Sequence, residues 1–299
     1  MRDEGPAMMD RRAFMGTAAA FALAQANNRS SLISHLSSVS HPSSRISRIG
    51  LQLYTVRNLM KTDFEGTLAK VAQIGYREVE FAGYFDHAPA DVRAVLDRHA
   101  LVSPASHVSF EKITQGWDAV LDACHTIGHQ WAVVPSVPAE RSKTADDWRR
   151  IAALFNEAGE ACKRAGVRFA YHNHDMEFAP VDGRVPFDLL LDGTDCALVD
   201  FEMDLFWITF GGGDPLAYFA KYPGRFPMVH VKDMVPKTRP DIPPDSVQRS
   251  VGKGRIDWKQ IFARSQQAGI KHYFVEHDNP ADALASIGES FGYMKQLDF

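Results

Sequence analysis

From Arg48 to the C-terminus the sequence repeats one alternation: a short apolar run of strand type, then a longer segment with apolar residues at helical spacing. The strand-type runs fall at 49–54, 78–81, 101–107, 131–135, 167–172, 196–203, 226–231 and 272–276. Helix signals stand between them. Asp63 precedes the helical pattern at 64–74 and Gly75 follows it; Pro89 opens the next; Gly128 and Gly166 close those at 117–127 and 145–165. Eight strand-then-helix units in about 250 residues predict an α/β fold of the closed (β/α)₈ type, a TIM barrel, as a single domain over 48–299. An open doubly wound sheet is the competing architecture, but no G-x-G-x-x-G turn follows the first strand.

In such a barrel, reactive groups come from the C-terminal ends of different strands. Strand one brings Gln52 and Tyr54, strand two Glu80 and strand three His107. Strand five brings His172 and His174, which leave one face of an extended chain while Asn173 leaves the other. The loop beyond it brings Glu177. Strand six brings Glu202 and Asp204, strand seven His230 with Lys232 and Asp233 beyond it, and strand eight Glu276 followed by His277 and Asp278. One histidine at a strand tip can be a satisfied structural residue. A carboxylate or imidazole at every strand end of the second half points further, to a metal site or an acid/base site. Carboxylate oxygen with imidazole nitrogen and no thiolate suits Mn²⁺, Mg²⁺, Fe²⁺ or Co²⁺, with Zn²⁺ admissible; a closed structural zinc site more often uses cysteine. Tyr54, Phe81, Tyr84, Phe206 and Trp207 lie near these ends, available for stacking on a sugar ring or for ordinary packing.

Six stretches then carry a resemblance: Gly50-Leu51-Gln52-Leu53-Tyr54-Thr55-Val56-Arg57, Gly75-Tyr76-Arg77-Glu78-Val79-Glu80-Phe81, Tyr171-His172-Asn173-His174, His230-Val231-Lys232-Asp233-Met234, Val251-Gly252-Lys253-Gly254 and Val275-Glu276-His277-Asp278. With them, residues 49–298 resemble the xylose-isomerase-like barrel superfamily of sugar isomerases and epimerases, which also contains endonuclease IV-type barrels and inosose dehydratases. The resemblance implies one divalent cation, Mn²⁺ first, with Mg²⁺, Co²⁺, Fe²⁺ or Zn²⁺ as alternatives. Its usual ligands are a Glu from strand five, an Asp from strand six, a His from strand seven and a Glu from strand eight. Asp204, His230 and Glu276 match the last three. The chain departs at the first, with His172-Asn173-His174 where many members read Glu-Asn-His. Glu177 is the expected replacement ligand, with His172 as the alternative.

The resemblance further implies a metal-dependent sugar isomerase or epimerase, or a keto-sugar lyase or dehydratase. Such an enzyme removes a proton next to a carbonyl through a metal-stabilised enediolate. Glu276, His172, His174 and Lys232 are the catalytic candidates: Glu276 as base and ligand, an imidazole as second acid/base, Lys232 steadying a substrate oxygen. Gln52, Glu80, His107, Lys232 and Trp207 are the substrate-binding candidates. Without a glutamate on strand five, a symmetric two-glutamate epimerase is disfavoured, and a histidine acid opposite the base favours elimination. Two other classes compete: a phosphodiesterase of the endonuclease IV type and a non-catalytic sugar-binding barrel. A net charge of −4 and the lack of a basic run argue against a nucleic-acid partner. Converged carboxylates argue against the non-catalytic barrel.

Ahead of the repeats, Arg11 and Arg12 precede an apolar stretch at 14–23, and Ala22, Ala24 and Ala26 end it. Basic, apolar and A-x-A segments in that order describe a signal peptide, too short to span a bilayer. Arg11-Arg12-Ala13-Phe14-Met15 resembles a twin-arginine signal. Residues 1–26 are thus expected to be a leader and 27–47, rich in serine, a flexible linker. The mature protein is expected in the periplasm. Sugar phosphates are mainly cytoplasmic, and no G-x-x-x-x-G-K-[ST] loop is present, so the expected partner is a non-phosphorylated sugar or keto-sugar. No membrane span is expected, and a homo-oligomer is compatible with the sequence. Cys124, Cys162 and Cys196 show no C-x-x-C spacing, and their odd number leaves at least one thiol free.

Overall fold

Short strands that are apolar on both faces need cover on both, and this chain supplies it by closing its sheet into a ring inside a layer of helices. The structure, a computed structural model, describes residues 45–299; the expected leader and all but the last three residues of the expected linker lie outside them. The barrel strands are β1 (Gly50–Gln52), β2 (Glu78–Phe81), β3 (Val102–His107), β4 (Trp131–Val134), β5 (Arg168–His172), β6 (Val199–Asp204), β7 (Met228–Val231) and β8 (His272–Val275). Each pairs in parallel with its sequence neighbour, and the ring closes where Gly50 faces Phe274 and Leu51 faces Val275. The fold is the expected TIM barrel. Among the described residues no helix is long and apolar enough to cross a membrane.

The helices begin and end where the side chains dictate. Asp63 accepts from the Gly66 amide at 2.9 Å and opens Phe64–Ile74. Thr144 and Asp147 form a reciprocal capping box at the start of Ala145–Arg164. The expected first strand stops two residues early, because the Gln52 side chain accepts from the Tyr54 amide at 3.0 Å and turns the chain into the 3₁₀ turn Leu53–Val56. The helical layer before β8 is broken into two short pieces, Trp258–Phe262 and Ser265–Ala268. The long connection after β7 holds an antiparallel ribbon, Asp233–Met234 with Gln248–Arg249, too short for a periodicity to reveal.

Alternation along the strands sorts the inside of the barrel into layers. Ala105, Trp131, Val133, Ala170, Met228 and Phe274 form an apolar plug. At one end of the ring lie Arg168 paired with Asp200, Trp131 Nε1 donating to Asp200 at 2.7 Å, and His272 bound to Glu78 at 2.8 Å. At the other, C-terminal end lie Gln52, Glu80, His172, Glu202, Asp204 and His230, all buried. Outward-facing Val199, Phe201 and Met203 join the main core between strands and helices. Each such side chain contributes roughly 1.5–3 kcal/mol on burial, which holds the charged layer in place against its own repulsion.

Candidate metal centre and cleft

The centre is assembled from consecutive strands. Asp204 ends β6, and its Oδ1 accepts from the Phe206 and Trp207 amides at 2.9 and 2.8 Å as the N-cap of Leu205–Phe210. That leaves Oδ2 free to face the barrel axis. His230 stands opposite Asp204 in the β6–β7 register, and Glu276 follows the last residue of β8. His230 Nδ1 lies 2.7 Å from Glu276 Oε2 and 3.6 Å from Asp204 Oδ2. All three atoms are buried without an aligned hydrogen-bond partner, and they lie within 4.8 Å of one another. Two buried carboxylate oxygens brought to one point repel unless positive charge joins them. Lys232 meets part of the demand, with Nζ 3.0 Å from Asp204 Oδ2, 2.8 Å from Glu276 Oε2 and 2.9 Å from Asp278 Oδ1. The protonation pattern fits the same need. Burial opposes charge on His230, yet Glu202 and Glu276 push it well above its ordinary range. Burial likewise opposes charge on Glu276, yet Lys232 and His230 hold it well below. Asp204, beside Lys232, is held near about 2 against the effect of burial. Two carboxylates and an imidazole suit a hard or borderline divalent ion.

A carboxylate orients the central imidazole. Glu80 Oε2 accepts from His230 Nε2 at 2.7 Å and from Gln52 Nε2 at 2.6 Å. His230 Nδ1 is the nitrogen turned toward Asp204 and Glu276, and it would offer its lone pair to a cation that displaced its proton. Burial and the nearby Glu202 raise the Glu80 carboxyl to about 7. Gln52 and Glu80 were expected to bind substrate. Both are fully buried, with the amide of Gln52 committed to Glu80 and the Tyr54 amide, so neither reaches a ligand.

Above the centre opens a cleft of about 580 Å³. His107, His172, His174, Trp207, Lys232 and Glu276 all line it. His172 Nε2 lies 3.7 Å from Asp204 Oδ2, at the edge of the acceptor trio. Burial, then His230, lowers His172 to about 3; burial, then Lys232, lowers His174 to about 4. Both rings are therefore neutral at pH 7. His107 is raised, because Glu80 and Glu202 outweigh burial. Among the expected aromatics, Tyr54 and Trp207 reach the cleft, whereas Phe81 and Phe206 are fully buried and Tyr84 hydrogen-bonds His129.

Glu177, the expected fourth ligand, is turned away. Its Oε1 accepts from the Tyr171 hydroxyl and its Oε2 from the His174 amide at 2.8 Å. Tyr171 points outward from β5 into the helix layer, and Glu177 follows it there, so it closes the loop instead of meeting a cation. Burial raises its carboxyl to about 7. Three other groups complete the region. Glu202, at a strand end in the sequence but without an assigned task, sits among His107, His172 and His230; its two-residue spacing from Asp204 already placed it on the same inward face. Asp278 receives Lys232 and is gripped by Gln248, whose Nε2 donates to Asp278 Oδ2 at 2.6 Å and whose Oε1 accepts from the Asp278 amide at 2.9 Å. No sequence pattern marks Gln248.

Comparison with known proteins gives a consistent picture. Residues 68–297 match the family described as xylose isomerase-like TIM barrel. An inosose dehydratase of Lacticaseibacillus casei is 24% identical over 252 residues, 74% of this chain and 84% of the relative. Among solved structures, a sugar phosphate isomerase/epimerase from Parabacteroides distasonis is 26% identical with a TM-score of 0.71, covering 84% of this chain and 94% of the other. An IolI protein described with a binding zinc atom shares the fold at 14% identity and a TM-score of 0.67, covering 81% of this chain and 95% of the other.

Proposed function

The chain belongs to the xylose isomerase-like TIM barrel family, and on that premise we propose that it is a divalent-metal-dependent lyase acting on a non-phosphorylated keto-sugar or keto-cyclitol. The reaction is removal of the proton next to the carbonyl, followed by loss of water or an alcohol from the next carbon. The observation that carries this reading is the trio Asp204 Oδ2, His230 Nδ1 and Glu276 Oε2, buried without aligned hydrogen-bond partners at the foot of a sugar-sized cleft. Asp204, His230 and Glu276 would hold the ion, which when bound supplies Lewis-acid attraction for charge developing on a carbonyl oxygen. His174 is the base in this reading. It is neutral, it lines the cleft, and its ring stands 5.1 Å from that of Trp207. Having taken the carbon-bound proton, it becomes an imidazolium in a site that disfavours its charge, and it returns the proton to the departing oxygen. The C–H and C–O bonds break, a C=C bond forms, and the leaving group departs as water or an alcohol. Lys232 steadies the oxygen that carries negative charge.

Elimination is favoured over epimerisation because strand five offers imidazoles, with no second carboxylate to exchange protons on the opposite face. The inosose dehydratase relative supports the same direction. A non-phosphorylated substrate is supported by the lining of the cleft: among the described residues Lys232 is its one Lys or Arg, and three carboxylates already hold it. We further take the enzyme to be exported by the twin-arginine route, on the leader sequence alone.

The test is incubation in D₂O, after loading with Mn²⁺, with an inosose and with keto-hexoses and their glycosides. Mass loss of water or alcohol and solvent deuterium in recovered substrate or product are expected. His174→Gln is expected to lower the rate about 10²–10⁴-fold while leaving Mn²⁺ affinity in place. Substrates recovered free of deuterium throughout, with no product, would sink the proposal.

A further inference from the structure

Lys232 competes for the two oxygens that a cation would need. Its Nζ lies 3.0 Å from Asp204 Oδ2 and 2.8 Å from Glu276 Oε2. Neither contact is an aligned hydrogen bond, whereas the third, to Asp278 Oδ1 at 2.9 Å, is one. That third partner is itself fixed. Gln248, buried, donates from Nε2 to Asp278 Oδ2 at 2.6 Å and accepts at Oε1 from the Asp278 amide at 2.9 Å. Arg57 Nη1 donates to the Asp278 carbonyl at 2.6 Å. Both carboxylate oxygens of Asp278 therefore accept, and its backbone is held on both sides. Gln248 reaches it from the ribbon, where it pairs with Met234, two residues beyond Lys232.

We propose that Gln248 is a positioning residue: it holds Asp278 as the berth that Lys232 keeps when a cation takes Asp204 and Glu276. This rests on the metal reading above. An ion on those two carboxylates displaces the ammonium from them, and a buried ammonium left without any carboxylate is strongly disfavoured. Asp278 supplies the remaining one. Lys232 and Asp278 both line the cleft, and Nζ stands 5.5 Å from the centre of the Trp207 ring. The berth thus keeps the ammonium at the wall where a substrate oxygen arrives. A loose berth lets it fall back onto Asp204 and Glu276 and compete with the ion. The rival account is that Gln248 only fastens the ribbon to the loop after β8. Its loss would then be felt whether or not Lys232 is present.

Metal-free full-length protein is titrated with Zn²⁺ in a calorimeter. Gln248→Met keeps the volume and removes both hydrogen bonds. It is expected to bind Zn²⁺ about 10–100-fold more weakly than wild type. Lys232→Met removes the competitor and is expected to bind at least as tightly as wild type. Adding Gln248→Met to Lys232→Met is expected to change the affinity by no more than about twofold, the scatter of sites that do not interact. Wild-type affinity in Gln248→Met would overturn the proposal. So would a loss that persists undiminished in the Lys232→Met background, which makes Gln248 a structural fastening alone. If Gln248→Met does not fold by circular dichroism, Asp278→Asn, alone and with Lys232→Met, decides by the same comparison. These adverse results leave the metal reading standing. A wild-type protein that binds no Zn²⁺ sinks that reading and this inference together.

Discussion

Glu177 illustrates how far residue type alone carries an argument. Its place in the sequence, three residues past His174, suits a ligand; its partners, Tyr171 and the His174 amide, make it part of the loop's closure. Nothing in spacing distinguishes these fates, because they depend on which way Tyr171 points. The same holds for Gln52 and Glu80, legible as strand-end residues but not as the hidden support of His230. Asp204, His230 and Glu276 were legible, since alternation along a strand fixes the inward face once the fold is known. Glu177 also makes a pH prediction. Its folded-state value, about 7, lies above the ordinary 4.5, so the folded chain holds this proton more tightly than the unfolded chain. The associated stability is complete below about pH 4.5 and is lost as pH rises through 7, an effect of about 3 kcal/mol. Glu177→Gln stays neutral and keeps partners for Tyr171 and His174. Urea midpoints are expected to match wild type at pH 5 and exceed it at pH 8; equal midpoints at pH 8 would refute the assignment.

The connection after β7 works as an element because one carboxylate organises it. Asp233, buried, accepts from the amides of Met234, Gly252 and Gly254 at 2.8, 2.9 and 3.1 Å and from Trp258 Nε1 at 3.1 Å. A Cβ on Gly254 would lie 2.0 Å from Asp233 Oδ1, so only glycine permits this approach. The anchored loop returns as the ribbon carrying Gln248, which grips Asp278, which receives Lys232. A connection rich in proline and glycine reads as an unstructured link in sequence, and its order comes from contacts across more than fifteen residues. Asp233→Ala leaves several buried donors unmet at roughly 1–3 kcal/mol each. Limited proteolysis is expected to cut first within 235–256 in this variant, with a lower melting temperature. Resistance equal to wild type would show that the loop is held by other means.

At the scale of the whole molecule, the barrel encloses carboxylates whose mutual repulsion a bound ion would relieve. The repeating alternation made the architecture legible, since eight cycles leave few ways to cover parallel strands; strand ends were less so, because turns such as that after Gln52 arise from single side-chain contacts. Divalent metal at a hundredfold excess over its dissociation constant is expected to stabilise the fold by about 2.7 kcal/mol, a rise of roughly 5–10 °C in melting temperature, reversed by chelator. A melting temperature indifferent to Mn²⁺, Zn²⁺ and chelator would contradict an ion at this centre. Closure of the ring through Gly50 and Phe274 has a temporal meaning as well. A ribosome releases Asp204 and His230 well before Glu276, so a growing polypeptide holds two of the three acceptors while the edge of its first strand still waits for a mate. The acceptor trio is thus incomplete throughout synthesis and is assembled only when the final strand zips the two ends of the sheet together.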